Sequence, residues 1–198
     1  VSNLDSSLTA LTSQFIFGCT DSTINNFNPS ANFDDGSCDY YSFVIGDTHQ
    51  GGVIFYLNGN GGGLIASPSD QTTVVWGCFG TLVGADGTAI GTGAQNTIDI
   101  EAGCSSAGIA ADICANLTLG GYSDWFLPSK DELNQIFVNR LLVNNASIAN
   151  GGNAFFADGY WSSSEIDSDL AWAQSLQTGN QLTFVKHYEF TFRPVRAF

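Results

Sequence analysis

The chain has 198 residues, enough for one main domain with a small appendage, and its 43% hydrophobic content can fill a sizeable core. Nineteen Asp and Glu oppose only five Lys and Arg, a formal net charge of −14. That balance argues against a nucleic-acid or anionic-membrane partner, both of which need clustered cations, and no apolar run approaches the roughly 20 residues of a membrane span. Low Lys, no Met and abundant Gly, Asn, Ser and Thr read as an exported protein. With no initiator Met or leader at residue 1, the chain reads as processed, or as the C-terminal piece of something longer.

Residues 1–15 carry apolar side chains at Val1, Leu4, Leu8, Leu11 and Phe15, spaced alternately by 3 and 4. This is the seam of a coiled coil. No i,i+4 ion pairs support the helix, and two heptads alone are marginal in water. The pattern predicts a stalk end shared between several chains. A single amphipathic helix packed on its own domain is the alternative.

Residues 16–40 form a cysteine-framed module, with GCTDSTINNFNPSANFDDGSC at 18–38. So polar a loop cannot build a core, and a Cys19–Cys38 disulfide is expected to close it. Closure of a loop of about 20 residues removes about 3 kcal/mol of unfolded-state freedom. Disulfides persist in secreted or surface compartments, so the module points outside the cytoplasm. Asp21, Asn26, Asn28, Asp34 and Asp35 supply oxygens suited to Ca²⁺, although their spacing is not that of an EF-hand. Asx-turns are the competing use of the same residues. The segment resembles short repeats found beside adhesive modules in secreted bacterial proteins, notably of marine Bacteroidota, with Phe27 standing where Tyr is usual.

Three more cysteines follow, Cys78, Cys104 and Cys114, and an odd total of five leaves at least one unpaired or intermolecular. Cys104–Cys114 is the expected second bridge, tying a loop to the helix after it. The alternative is Cys78–Cys104, with Cys114 buried on its helix. Zinc is disfavoured, because no C-x-x-C pair exists and His49 and His187 stand alone.

Residues 41–198 read as the main domain. VIFYL at 53–57 and Leu64 to Ala66 flank a glycine-rich turn, a hairpin signal. Ala107, Ala110, Ile113, Cys114 and Leu117 have helical spacing. A second helix starts at Ser129, with Glu132 completing a capping box, and Leu133, Ile136, Phe137 and Leu141 form its apolar stripe. Strands are expected over 171–176, 181–187 and 190–198, with a turn at 178–180. Strands at both ends and helices between them predict an α+β fold with first and last strands paired. Trp125, Trp161 and Trp172 are expected in the core, each N–H with a partner. Arg193 and Arg196 are read as structural, solvent-facing or paired with a carboxylate such as Glu165 or Asp124.

The stretch SSSEIDSD at 162–169 lies between aromatic anchors. Ser162, Ser163, Ser164, Glu165, Asp167 and Asp169 are the candidate ligand-binding residues, suited to calcium, sugar hydroxyls or both. A solvated acidic turn is the other reading. No enzyme is expected. The chain has no G-x-S-x-G, H-E-x-x-H or P-loop, and GTGAQN at 91–96 is half of a dinucleotide fingerprint.

GYSDWFLPSKDEL at 121–133, YWSSSE at 160–165, AWAQ at 171–174, Gly179 and RPVRAF at 193–198 resemble, in order, the C-terminal domain family of the Legionella collagen-like adhesin. They are also similar to Fibrobacter major-paralogue domains. The resemblance covers about 150 residues. It implies an extracellular ligand-binding head, C-type-lectin-like in style, trimeric in the collagen-like adhesin and there binding sulfated glycans. Charge sets this chain apart, since three of its five cations lie in the last thirteen residues and leave no evident basic surface. The expected protein is thus an adhesin head at the cell surface or on a virion fibre, a homotrimer by that resemblance, recognising glycans or another surface ligand. The runner-up is a structural subunit of a surface filament or phage fibre whose partner is protein.

Overall fold

The computed structural model describes residues 15–22, 24, 26–38, 43–155 and 159–198. Val1, Leu4, Leu8 and Leu11 of the expected stalk lie outside the described residues. The chain divides into two compact units, Val1–Phe43 with Asn58–Gly61, and Val44–Leu57 with Gly62–Phe198.

In the first unit, Cys19–Cys38 is a disulfide with a Cα–Cα distance of 4.6 Å. Its two half-cystines are the buried apolar side chains of the described loop, while Phe17 and Phe33 stay exposed. Backbone bonds complete the closure, Asn28 N–H donating to the Cys19 carbonyl at 2.8 Å and Asn32 N–H to that of Ile16 at 2.9 Å. So small a core needs its covalent bond.

The second unit is α+β. One antiparallel sheet has the order β1-β2-β3-β9, from Thr48–His49, Gly52–Leu57, Gly63–Ala66 and Val195–Ala197. The expected hairpin is β2–β3. The final strand pairs with β3, so the chain's first and last strands share a sheet without being neighbours. A second sheet is the meander β5-β6-β7, from Gly159–Glu165, Leu170–Ser175 and Gln181–Val185. A short ribbon pairs β4, Val74–Val75, with β8, Glu189–Phe190.

Four helices are described: α1 Gly93–Gly103, α2 Ala110–Ala115, α3 Lys130–Val138 and α4 Arg140–Ala149. The capping box of α3 forms as expected, Ser129 N–H donating to the Glu132 carboxylate at 2.7 Å and Glu132 N–H to Ser129 Oγ at 3.3 Å. The stripe expected to continue to Leu141 does not. Asn139 interrupts the helix, its side-chain amide donating to the Phe55 carbonyl of β2 at 3.0 Å. After that break Val143 and Ser147 face inward, and Leu141 is 70% exposed. Leu133, Ile136 and Val143 pack on Val53, Phe55, Leu64 and Tyr160 in one core cluster. A second gathers Trp76, Ile100, Ile109, Trp161 and Phe192. Helix α1 has no counterpart in the sequence reading. Its buried residues are Gly93, Asn96, Thr97 and Ile100, so hydrogen bonds rather than an apolar stripe hold it.

Candidate ligand-binding site

The residues expected to bind ligand are the first to correct. Ser162, Ser163, Ser164 and Glu165 are not an exposed loop. They form the buried end of β5, and each polar atom has an internal partner. Ser162 Oγ donates to the Trp172 carbonyl at 2.9 Å, and Ser164 Oγ to that of Gly87 at 2.7 Å. Ser163 Oγ accepts from Asn96 Nδ2 at 3.1 Å. A run of small hydroxyls lets the strand stay buried while stitching the 81–93 loop region to the sheet. Only Asp167 and Asp169 reach the surface. Asp167 Oδ1 accepts from the Asp169 and Leu170 N–H groups, both at 2.8 Å, and so shapes the β5–β6 turn.

Glu165 is the centre of a cage. Its carboxylate accepts from the backbone N–H groups of Val83, Gly84 and Ala85 and from Lys186 Nζ at 2.7 Å. Both charged side chains are fully buried. Lys186 Nζ also donates to the Thr81 carbonyl at 2.9 Å and lies 4.6 Å from the Trp76 ring centroid. The partner of Glu165 is therefore Lys186, not either terminal arginine. Arg193 instead meets Asp70, its Nε donating to Oδ1 at 2.6 Å, and stacks over Phe155. Arg196 binds Asp124 and Gln50 and stacks on Tyr122. That bond holds the Asp124 carboxyl below the usual carboxylate range. Lys130 pairs with Asp131 beside Trp172, and Arg140 stacks on Phe137. All five cations are thus engaged, three of them buried.

The tryptophans behave as expected for core residues with one exception. Trp125 and Trp161 are buried, donating to the carbonyls of Leu119 and Val74. Trp172 is half-buried under Lys130. Trp76, not singled out in the sequence, is as deep as either, donating to the Ser162 carbonyl at 2.8 Å.

An open cleft of about 1230 Å³ lies among Asp70–Thr73, Gly159 and the residues of β6 to β8. Its floor uses the small residues Gly159 and Ala173. A Cβ at Gly159 would come within 2.7 Å of the Phe190 ring, so the missing side chain makes room for that ring. One wall is aromatic. Phe184 meets Phe190 edge-on at 4.8 Å, and Tyr188 lies 5.4 Å from Phe190. Leu182 and Tyr188 are more than half exposed. The lining also includes Gln71, Thr72, Thr73, Gln177, Thr178 and Asn180. Asp70 closes one end, already engaged by Arg193, Asn153 Nδ2 and the Tyr160 hydroxyl. Glu189 is an exposed acid beside it, and no cation is among the described residues lining the cleft. An exposed ring such as Tyr188 beside neutral amides and hydroxyls can stack on an apolar face while its neighbours hydrogen-bond a ring of hydroxyls.

In the cysteine-framed module three of the predicted calcium ligands, Asn28, Asp34 and Asp35, accept hydrogen bonds from backbone N–H groups. Asp34 Oδ1 accepts from Gly36 N–H and Asp35 Oδ1 from Ser37 N–H, both at 2.9 Å. The Ser37 hydrogen bonds lower the Asp35 carboxyl. Asn28 Oδ1 accepts from Ser30 N–H, and Asn26 Nδ2 donates to the Ser37 carbonyl. Among the described residues no three His, Cys, Asp or Glu side chains gather as a metal site.

The second disulfide is the alternative pairing of the sequence reading and not the favoured one. Cys78 pairs with Cys104 at a Cα–Cα distance of 5.6 Å, and the expected Cys104–Cys114 bridge is absent. Cys114 sits on the inner face of α2 in the Trp76 cluster, facing the core instead of the loop. Burial pushes its thiol well up, which leaves it unreactive.

An α+β fold, two disulfides and an open aromatic cleft have the character of a secreted or surface binding module. No helix among the described residues is long and apolar enough to cross a membrane. The chain belongs to the Lcl C-terminal domain family, which matches residues 69–196, more than half of its length. Membership suggests an adhesin-like surface protein. A comparison with curated proteins returned no match.

Proposed function

We propose that this chain is the head of an oligomeric extracellular adhesin and that the cleft walled by Phe184, Tyr188 and Phe190 takes a neutral glycan. The observation that carries the reading is the lining chemistry: the exposed Tyr188 ring and the partly buried Phe184 and Phe190 rings share the cleft with amides and hydroxyls, and no cation is among the described residues lining it. A sulfated glycan would need a positive partner, and the five cations are all committed elsewhere. The head acts by binding, not by catalysis. The stripe from Val1 to Phe15 supports a parallel homotrimer, whose three heads would add avidity of about 10²–10⁴ to a weak site. Calcium held by the Asp34–Asp35 turn is part of the same proposal, as a support for the module.

A glycan array probed with the full chain tests the reading. Neutral oligosaccharides should be retained, and Tyr188→Ala should weaken that binding at least tenfold while leaving the melting temperature within about 3 °C. Retention of sulfated glycans alone, or binding unchanged in Tyr188→Ala, overturns it. Calcium should raise the melting temperature, and Asp34→Ala should abolish the rise.

A further inference from the structure

An Asn-Gly pair lets a main-chain nitrogen attack the neighbouring side chain, because glycine has no Cβ to obstruct the approach. The chain has three such pairs, at Asn58, Asn60 and Asn150. All three asparagines are exposed, so exposure does not choose among them. Their hydrogen bonds do. Asn150 is locked at the end of α4. Its Nδ2 donates to the Ala146 carbonyl at 2.7 Å, and Gly151 N–H, the nucleophile there, donates to the Ile148 carbonyl at 3.1 Å. Reaction at Asn150 requires both bonds to break.

Asn58 and Asn60 lie in the turn between β2 and β3, and among the described residues neither Gly59 N–H nor Gly61 N–H has an acceptor. What sets Asn58 apart is its side chain. Its Oδ1 accepts from Asn60 N–H at 2.8 Å, an Asx-turn. That bond folds the carboxamide back over the 58–59 peptide, the side from which Gly59 N must reach Cγ. It also places a donor on the oxygen that becomes negative when Cγ is attacked. Gly59 has φ +79 and open space where a Cβ would stand, so the turn can yield as a ring closes.

The geometry points to Asn58 as a self-modification site, where the turn itself carries out deamidation and no enzyme is needed. Gly59 N attacks Asn58 Cγ, a C–N bond forms, and the Cγ–Nδ2 bond breaks. The proton lost by Gly59 leaves with Nδ2 as ammonia, and the product is a five-membered succinimide. Water then adds to either imide carbonyl and opens the ring, giving aspartate or isoaspartate. Nothing is oxidised or reduced; one water is consumed and one ammonia released. Each event adds one carboxylate to a chain already at a net charge of −14. The isoaspartyl product also carries an extra main-chain methylene in the turn. In a protein that is not resynthesised where it works, the modified fraction grows with the age of the molecule.

Peptide mapping of the full chain, aged at mildly alkaline pH, tests this by the mass gain of an amide-to-acid exchange and by methylation with an isoaspartyl methyltransferase. In the folded chain Asn58 should be modified several-fold faster than Asn60, and Asn150 should stay an amide. In the chain unfolded in guanidinium the Asx-turn and the helix-end bonds are gone, and the three sites should react at similar rates. Asn60→Pro removes the N–H but keeps Gly59. It should slow Asn58 roughly tenfold, less than the about 10²–10³ of an enzyme's oxyanion donor, because water competes in an exposed turn. Equal rates at Asn58 and Asn60 in the folded chain, a preference for Asn58 that survives unfolding, or an Asn58 rate unmoved by Asn60→Pro overturns the inference. The readout is covalent and independent of glycan retention, so the two proposals fail separately.

Discussion

Glu165→Gln is the substitution that most directly separates a structural carboxylate from a ligand-binding one. It keeps the side-chain shape but removes the charge that meets Lys186 Nζ at 2.7 Å and the three N–H groups of residues 83–85. Lys186 would remain fully buried with its ammonium facing an amide. Breaking a buried pair from one side costs about 3–5 kcal/mol. At about 2–4 °C per kcal/mol for a chain of this size, the melting temperature should fall by roughly 6–20 °C. Lys186→Met should also destabilise, but the double variant should recover part of the loss, because no uncompensated charge then remains. Calorimetry and urea unfolding of the four proteins give the coupling directly. If Glu165→Gln shifts stability by less than about 1 kcal/mol, water already screens the pair and the cage argument is wrong.

Acid stability should have two opposed arms, read by urea unfolding across the acid range. The Asp124 carboxyl is lowered by Arg196, so its contribution is complete above 3.8 and is lost as pH falls through the lowered value. Asp124→Asn should flatten that arm by less than about 1 kcal/mol, since the Asp124 side chain is 63% exposed. Burial pushes the Glu132 carboxyl up from 4.5, so the fold loses stability as pH rises through the raised value, and Glu132→Gln should remove that dependence. Cys78→Ser with Cys104→Ser should cost about 3 kcal/mol by the loop-closure argument, and peptide mapping without reductant should recover Cys114 alone as a thiol. Gly159→Val should drive its side chain into Phe190 and close the cleft, weakening glycan retention as strongly as Tyr188→Ala.

Elements with a local signal were legible in the sequence: the β2–β3 hairpin with its glycine run, the Ser129–Glu132 capping box, the β6–β7 turn and the Cys19–Cys38 loop. Each is decided by a few neighbouring residues. What failed depended on contacts distant in sequence. Three serines and a glutamate read as a polar loop, because nothing nearby shows that Gly87, Asn96 and Lys186 will satisfy them. Asp70 gave no sign that it would meet Arg193, 123 positions away. The choice between Cys78 and Cys114 turned on which face of α2 points inward. The cleft was invisible for a related reason: Gly159, Leu182, Tyr188 and Phe190 belong to no motif. The one available signal was the aromatic density of 184–190, which a core strand would share.

The commitment of every Lys and Arg to an internal partner also sets the ionic atmosphere of the molecule. Nineteen acids stand against those five cations, so at a net charge of −14 the molecule behaves as a polyanion. At low ionic strength its field reaches tens of ångströms and holds it away from other negative surfaces. Near 0.1 M salt the screening length contracts to about 10 Å. Encounter with an anionic cell surface, or with another copy, then becomes a matter of short-range fit, and added salt should speed attachment where for a cationic adhesin it would slow it.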